Sequence, residues 1–369
     1  MINKYNKIII KIGSSTIINE KNSKIRSLWL KSICEDIASL IKANKKIIIV
    51  SSGAIALGKK YINNNKFIRK LEDKQAAAAI GQVELANCWQ KMLKKFKINS
   101  AQLLLTLDDS EVRKRYLNVR KTISSLHKNK IIPIINENDT VTTEEIRFGD
   151  NDRLAARVAQ MIDANLLIML SDVDGLYSKN PQKNKNAKKI LDVKTIDLSI
   201  EKMAEYKHSK LGSGGMVTKI WAAKICMSSG CSTVIANGKK IHPLKNIDKS
   251  NSTWFDAQKS VKSLRKQWLL NHLNPSGKII IDTGAEKALL QNKSLLPAGV
   301  TEIRGKFRRG DIITIKNKKN EKISVGIIAY DSNEAKKIIG KKSKDIKTIL
   351  GYEGRDELVH KDDLVNIEK

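Results

Sequence analysis

Short apolar runs alternate with helical periodicity through the first two-thirds of the chain, and this rhythm restricts the fold more than any other feature. Ile8–Ile12 reads as a strand, after which Leu30, Ile33, Ile37, Leu40 and Ile41 recur at helical spacing. Further strands are expected at Ile47–Val50, Gln102–Leu107, Ile131–Asn136, Leu166–Ser171 and Thr233–Ala236. Helices are expected over Gln75–Phe96, Glu111–His127, Leu154–Ile162 and Met216–Ser229. Strand and helix alternating so regularly imply an α/β fold with a mostly parallel sheet covered on both faces. Ligands of such sheets bind beyond the carboxyl ends of the strands, where most of the polar loops of this chain fall.

The pattern changes around Ser250–Pro275. Trp254-Phe255 ends the α/β run, and Ser260–Leu270 reads as a short helix. From Gly277 onward come short strands broken by turns, at Lys278–Asp282, Gly299–Ile303, Asp311–Ile315 and Ile323–Ala329, which predict a separate β-rich domain. The expected division is a first domain over 1–256, a linker over 257–275 and a second domain over 276–369. No internal repeat or heptad run interrupts this scheme.

With 369 residues, 41% of them hydrophobic, each domain has enough chain for a core of its own. The longest apolar runs, such as Ile47–Val50 and Leu166–Leu170, fall far short of the roughly 18 residues of a membrane span. Met1–Lys7 leads into Ile8 without a long apolar core, so no signal peptide is expected and a cytoplasmic protein is. Cys34, Cys88, Cys226 and Cys231 make no disulfide framework or CxxC site and read as reduced thiols. The net charge of +31 invites a nucleic-acid partner. Lysine far outnumbers arginine, however, and Lys, Asn and Ile crowd every loop, which fits compositional bias better than a binding stripe.

Four loops carry candidate chemistry. Lys11-Ile12-Gly13-Ser14-Ser15 sets a lysine at a strand end before a glycine, where a cation and close-lying N–H groups could meet a phosphate. Solvated lysines abound here, so that loop alone is a weak signal. Ser51-Ser52-Gly53-Ala54-Ile55-Ala56 is a small-residue strand-to-helix turn, suited to an anion and equally to an ordinary helix cap. Asn136-Glu137-Asn138-Asp139 and Gly149-Asp150-Asn151-Asp152 gather seven acidic or amide side chains near one strand end and the next helix start. A solvated turn needs one or two; a site for an ammonium group, a carboxylate or a metal needs several. Leu211-Gly212-Ser213-Gly214-Gly215-Met216-Val217-Thr218-Lys219 opens a helix as a phosphate cradle would, although it is not a Walker A sequence.

Taken together these segments resemble the amino acid kinase family. The resemblance rests on Val50-Ser51-Ser52-Gly53-Ala54, Lys74-Gln75-Ala76-Ala77-Ala78, Pro133–Asp139, Phe148–Asp152 and Gly212–Met216, in that order and spacing. It runs from Lys11 into the tail, where Gly277–Asp363, with Gly310-Asp311 and Ile349–Glu353, looks like a PUA domain, a small β-barrel-like module that binds RNA elsewhere. The family implies a three-layer αβα fold and, for the branch these segments match, ATP-dependent phosphorylation of the glutamate side chain, the opening step of proline synthesis. It implies ATP and Mg²⁺, L-glutamate as substrate, proline as feedback inhibitor, RNA as a partner of the PUA domain, no membrane, and a homodimer or homotetramer. By the same resemblance Lys11 and Lys219 hold the ATP phosphates and Asp152 orients both lysines. Gly13, Ser171, Asp172, Ser213, Gly214, Gly215, Met216, Val217 and Thr218 line the nucleotide site. Ser52, Gly53, Asn136, Asp139, Asp150 and Asn151 line the glutamate site, and no protein metal ligand is assigned. Ser51 and Ser171 stand where many relatives carry threonine, keeping the hydroxyl.

The chemistry is consistent with that residue set. A glutamate side chain, with a reference pKa of about 4.3, is already ionised at neutral pH and needs no general base. None of the four loops holds a histidine. The obstacle is repulsion between an anionic nucleophile and a polyanionic phosphate, which positioning and positive charge must overcome. Two rivals stand beside this reading: an aspartate, acetylglutamate or carbamate kinase of the same fold, and an RNA-binding regulator whose kinase domain is a relic.

Overall fold

The computed structural model describes residues 2–19, 22–62, 70–141, 150–181, 183–204, 215–258 and 275–366. They divide into two compact units, Met1–Val261 and Lys262–Lys369. The first unit is built on one sheet of β1 (Lys7–Ile12), β2 (Lys46–Ser51), β3 (Asn99–Leu105), β4 (Ile131–Glu137), β5 (Leu166–Ser171), β6 (Asp192–Val193), β7 (Ser232–Asn237) and β8 (Ser252–Phe255). Their order is β6-β8-β7-β5-β1-β2-β4-β3. From β7 to β3 every neighbouring pair is parallel. Only β8 turns against β7, carrying β6 parallel to itself. Trp254 and Phe255 therefore extend the sheet as well as ending the α/β run.

The period-two alternation of strands divides the apolar runs between two cores. Ile8, Ile10, Ile12, Ile47, Ile49, Ile168 and Leu170 face one side, closed by the helices Ser27–Lys42 and Leu71–Lys94. Ile9, Ile48, Val50, Leu167 and Met169 face the other, closed by Asp150–Met161 and Met216–Ser228. Burying each such aliphatic side chain contributes roughly 1.5–3 kcal/mol, which is why the strands are nearly all apolar. Lys11 is in step with Ile9, beside Val50 and Met169 in the neighbouring strands. Its ammonium therefore enters the second layer of helices. A lysine in that position needs a reason.

The alanine-rich segment has a packing purpose. Gly58, ending the short helix Ala54–Gly58, and Gly81 of Leu71–Lys94 lie where the two helices touch backbone to backbone. A Cβ on Gly81 would overlap the Ala54 carbonyl, and one on Gly58 the Ala77 carbonyl. This contact fixes the loop just before Ala54. Gly81→Ala is therefore expected to lower stability by about 3 kcal/mol or more, read as a drop in the urea midpoint. An unchanged midpoint would show that the helices can part freely.

The expected helix over Glu111–His127 is found as Arg113–Lys128, preceded by a separate single turn, Asp108–Glu111, from which the extended backbone of Val112 divides it. Asp109 accepts hydrogen bonds from the Thr106 backbone and hydroxyl, which holds the first turn apart as a local structure. Among the described residues no helix is long and apolar enough to cross a membrane. The described cysteines are all free thiols, three of them buried. The expected helix over Ser260–Leu270 lies outside the described residues.

The second unit carries a sheet of β9 (Gly277–Ile281), β10 (Val300–Gly305), β11 (Ile312–Lys316), β12 (Lys322–Ile327) and β13 (Leu364–Asn366), ordered β10-β9-β11-β12-β13. Three helices absent from the expected scheme pack into its core, Thr283–Leu290, Ser332–Ile338 and Ile346–Leu350. The first two start at aspartates whose side chains act as N-caps. Asp282 accepts from the Ala285 N–H, and Asp331 forms a reciprocal capping box with Glu334.

Candidate active site

Three side chains from distant segments meet at the carboxyl end of the parallel sheet. Lys11 comes from the end of β1, Asp152 from the first turn of Asp150–Met161, and Lys219 from the first turn of Met216–Ser228. Lys11 Nζ lies 2.7 Å from Asp152 Oδ1, and Lys219 Nζ 2.9 Å from Oδ2. Thr218 Oγ1 stands 2.9 Å from the same Oδ2 and 2.8 Å from the Gly215 carbonyl. The cluster is deep: Lys11 is 6% exposed, Lys219 5% and Asp152 0%. Burial alone would raise the Asp152 pKa, but the two ammonium groups override it and hold the carboxyl well below its ordinary range. Burial lowers the Lys11 pKa, with Asp152 opposing and Lys219 reinforcing that shift.

Two ammonium groups thus converge on one carboxylate in a largely dry place, with Asp172 adding a further attraction on Lys11. A site that concentrates cations in this way suits an anionic ligand. The start of Met216–Ser228 points the same way. Its N-cap is Gly215, in extended backbone with no side chain to cap the first turn. A helix N-terminus in that condition favours negative charge. Of the glycine-rich run before it, Ser213 and Gly214 lie outside the described residues.

Beside that helix start is a cleft of about 180 Å³ lined by Asp172, Tyr177, Lys179, Pro181, Met203 and Met216 among others. Asp172 is exposed there, just past β5. Ser171 is buried, its hydroxyl 3.3 Å from both the N–H and the carbonyl of Val173, so it shapes the turn that carries Asp172. Asp174 accepts from Lys189 Nζ at 2.6 Å and from the Tyr177 hydroxyl at 3.1 Å, fixing the wall of the cleft. Of these, Lys179, Pro181 and Met203 carried no signal in the sequence.

A second group of polar side chains collects at the ends of β2 and β4. Asn151 Nδ2 donates to Ser52 Oγ at 2.9 Å and to Asn136 Oδ1 at 3.1 Å, and Asn136 Nδ2 donates to Gln82 Oε1 at 2.6 Å. Gly53 has φ 124°, and a Cβ there would come within 2.6 Å of Ile18 Cδ1, so only glycine turns this corner easily. Asp139 sits half-buried in the turn after β4. Asp150 opens the helix that carries Asn151 and Asp152.

Two local details refine the sequence expectations. Gly13 does not offer its own N–H to a ligand, because that group donates to the Leu170 carbonyl at 3.2 Å. A Cβ on Gly13 would meet nothing closer than 3.6 Å, so protein packing does not demand glycine there. Ser52 does not act as an ordinary helix cap, since Gly53 is the N-cap of Ala54–Gly58 and no side chain caps it. The hydroxyl of Ser51, for its part, faces inward and accepts from the indole Nε1 of Trp89 at 3.0 Å.

The amino acid kinase family model matches residues 6–237. The chain belongs to that family. A PUA domain model matches residues 277–350, within the second unit. Among curated amino acid kinases, a protein named glutamate 5-kinase from Pelagibacter ubique (strain HTCC1062) is 50% identical over 361 residues, covering 98% of both chains. Another of that name from Paramagnetospirillum magneticum is 48% identical over 360 residues, 97% of both chains. A third, from Agrobacterium fabrum, is 49% identical over 362 residues, 98% of this chain and 93% of its own.

Proposed function

We propose that this chain transfers the γ-phosphoryl group of ATP to the side-chain carboxylate of L-glutamate, the first step of proline synthesis. Near-full-length likeness to proteins named glutamate 5-kinase supports the substrate. The observation that carries the reaction type is the buried Lys11–Asp152–Lys219 cluster, which aims two ammonium groups from distant segments at one point, as a polyphosphate requires.

ATP fits the residues present: the cluster for its phosphates, the uncapped helix start for its negative charge, and the adjoining cleft for the rest of the nucleotide. Bound Mg²⁺ would neutralise phosphate charge during transfer. Among the described residues no three acidic, histidine or cysteine side chains gather to cage a metal, so we assign the ion to the phosphates themselves. Asp152 keeps both ammonium groups aimed at one point. Lys11 and Lys219 offset the charge that accumulates on the transferred group. Ser52, Asn136 and Asn151 form the pocket that grips the amino acid, and the family resemblance assigns Asp139 and Asp150 to it as well. The glutamate carboxylate arrives ionised, which leaves no proton for the protein to remove. An intact cluster also argues against a relic kinase domain.

The product of this reaction is an acyl phosphate. Incubating the protein with ATP, Mg²⁺, hydroxylamine and single amino acids should yield a hydroxamate with glutamate. Hydroxamate from aspartate or N-acetylglutamate, and none from glutamate, rejects the substrate.

A further inference from the structure

We infer that Gln82, from the helix Leu71–Lys94, is a positioning residue that sets which atoms the amino-acid pocket presents to its ligand. The inference rests on the glutamate pocket proposed above.

Ser52, Asn151, Asn136 and Gln82 form an unbroken relay from the end of β2 to a helix outside all four polar loops. An amide can face its neighbour with either end, so a row of amides has two self-consistent polarities. In the polarity seen here Gln82, the last amide of the row, turns its Oε1 inward. Asn136 is 2% exposed, and its Nδ2 donates to Gln82 Oε1 at 2.6 Å. That acceptor turns Asn136 Oδ1 toward Asn151. Both Nδ2 protons of Asn151 are then engaged, by Asn136 Oδ1 at 3.1 Å and Ser52 Oγ at 2.9 Å.

What remains at the pocket end follows from this. Asn151 Oδ1 is buried and has no hydrogen-bond partner among the described residues. Ser52 Oγ already accepts, which leaves its proton to donate. The pocket thus offers an acceptor and a hydroxyl donor together. A zwitterionic amino acid, with an ammonium group and a carboxylate, fills both. In the opposite polarity Asn151 would present an N–H where the ammonium group should go.

Gln82→Met keeps the bulk and removes the acceptor, whereas Gln82→Glu keeps the acceptor. With Gln82→Met the KM for glutamate should rise about ten- to a hundredfold, while the KM for ATP and the kcat at saturating glutamate stay within about threefold. Gln82→Glu should hold the glutamate KM within about threefold of wild type. An unchanged glutamate KM in Gln82→Met overturns the inference. So does a parallel change in both KM values with a lowered melting temperature, which would mark Gln82 as packing only. If Gln82→Met fails to fold, a tenfold rise in Gln82→Glu overturns it alone. Wild-type protein without glutamate turnover would sink the functional reading itself, and this inference with it.

Discussion

Lys219→Met should lower kcat by about a hundred- to a thousandfold while leaving the KM for glutamate within a few-fold of wild type. The magnitude is that of removing one preorganised electrostatic donor from a transition state, roughly 2.7–4 kcal/mol. The split between the two parameters follows from position. Lys219 touches Asp152 and lies at the start of Met216–Ser228, whereas the amino-acid relay runs through Ser52, Asn151 and Asn136. The change also isolates a single charge. Lys219 is one of the groups that lowers the Lys11 pKa, so removing it leaves Lys11 more firmly protonated. Arginine should rescue poorly, because a planar guanidinium cannot reproduce a compact ammonium at 2.9 Å from Oδ2. Steady-state kinetics with both substrates varied decides the matter. Turnover near wild type would mean that Lys219 does not act on the transferred group.

The parts of this molecule visible in the sequence are those written in a local code. Apolar runs flanked by helical spacing located the central strands, because strands buried on both faces have no polar residues to obscure them. Lys11, Asp152 and Lys219 each sit in a short polar segment at a strand or helix end, but it was the family resemblance that joined the three. Gln82 was missed. It lies two helical turns beyond Gln75 on a segment whose small residues signalled packing, and only the fold brings it to Asn136. The role of Gly58 and Gly81 is likewise a contact between helices and has no local signature. At Gly13 the sequence could not show that its own N–H is taken by the neighbouring strand end, because that contact too is made only by the fold. In the second unit, three helices shorter than three turns left too little periodicity to be read beside the strand pattern.

Asp152→Asn should be the most damaging change to the folded state. The substitution preserves size but removes the carboxylate charge shared by two ammonium groups that are 5–6% exposed. Breaking a buried ionic group from one side typically costs about 3–5 kcal/mol, because the stranded charges cannot regain water. The pH dependence gives this a signature. The Asp152 pKa in the folded protein is held below its unfolded value of about 3.9. Its stabilisation is therefore fully present above that value and is lost as acid takes the pH down through the folded pKa. The gap between wild type and Asp152→Asn should be widest near neutrality and should close in acid. It should also narrow in alkali. Asp152 is the main group opposing the lowering of Lys11, so without it Lys11 sheds its proton more readily and the repulsion eases as the pH rises. Polyphosphate should restore part of the lost stability, since an anion binding only the folded form shifts the equilibrium toward it. Chemical denaturation across pH, with and without tripolyphosphate, measures each of these. If Asp152→Asn unfolded at the wild-type midpoint near pH 7, the two ammonium groups would not depend on that carboxylate. The case for a charge cluster kept poised for an anionic ligand would then be lost.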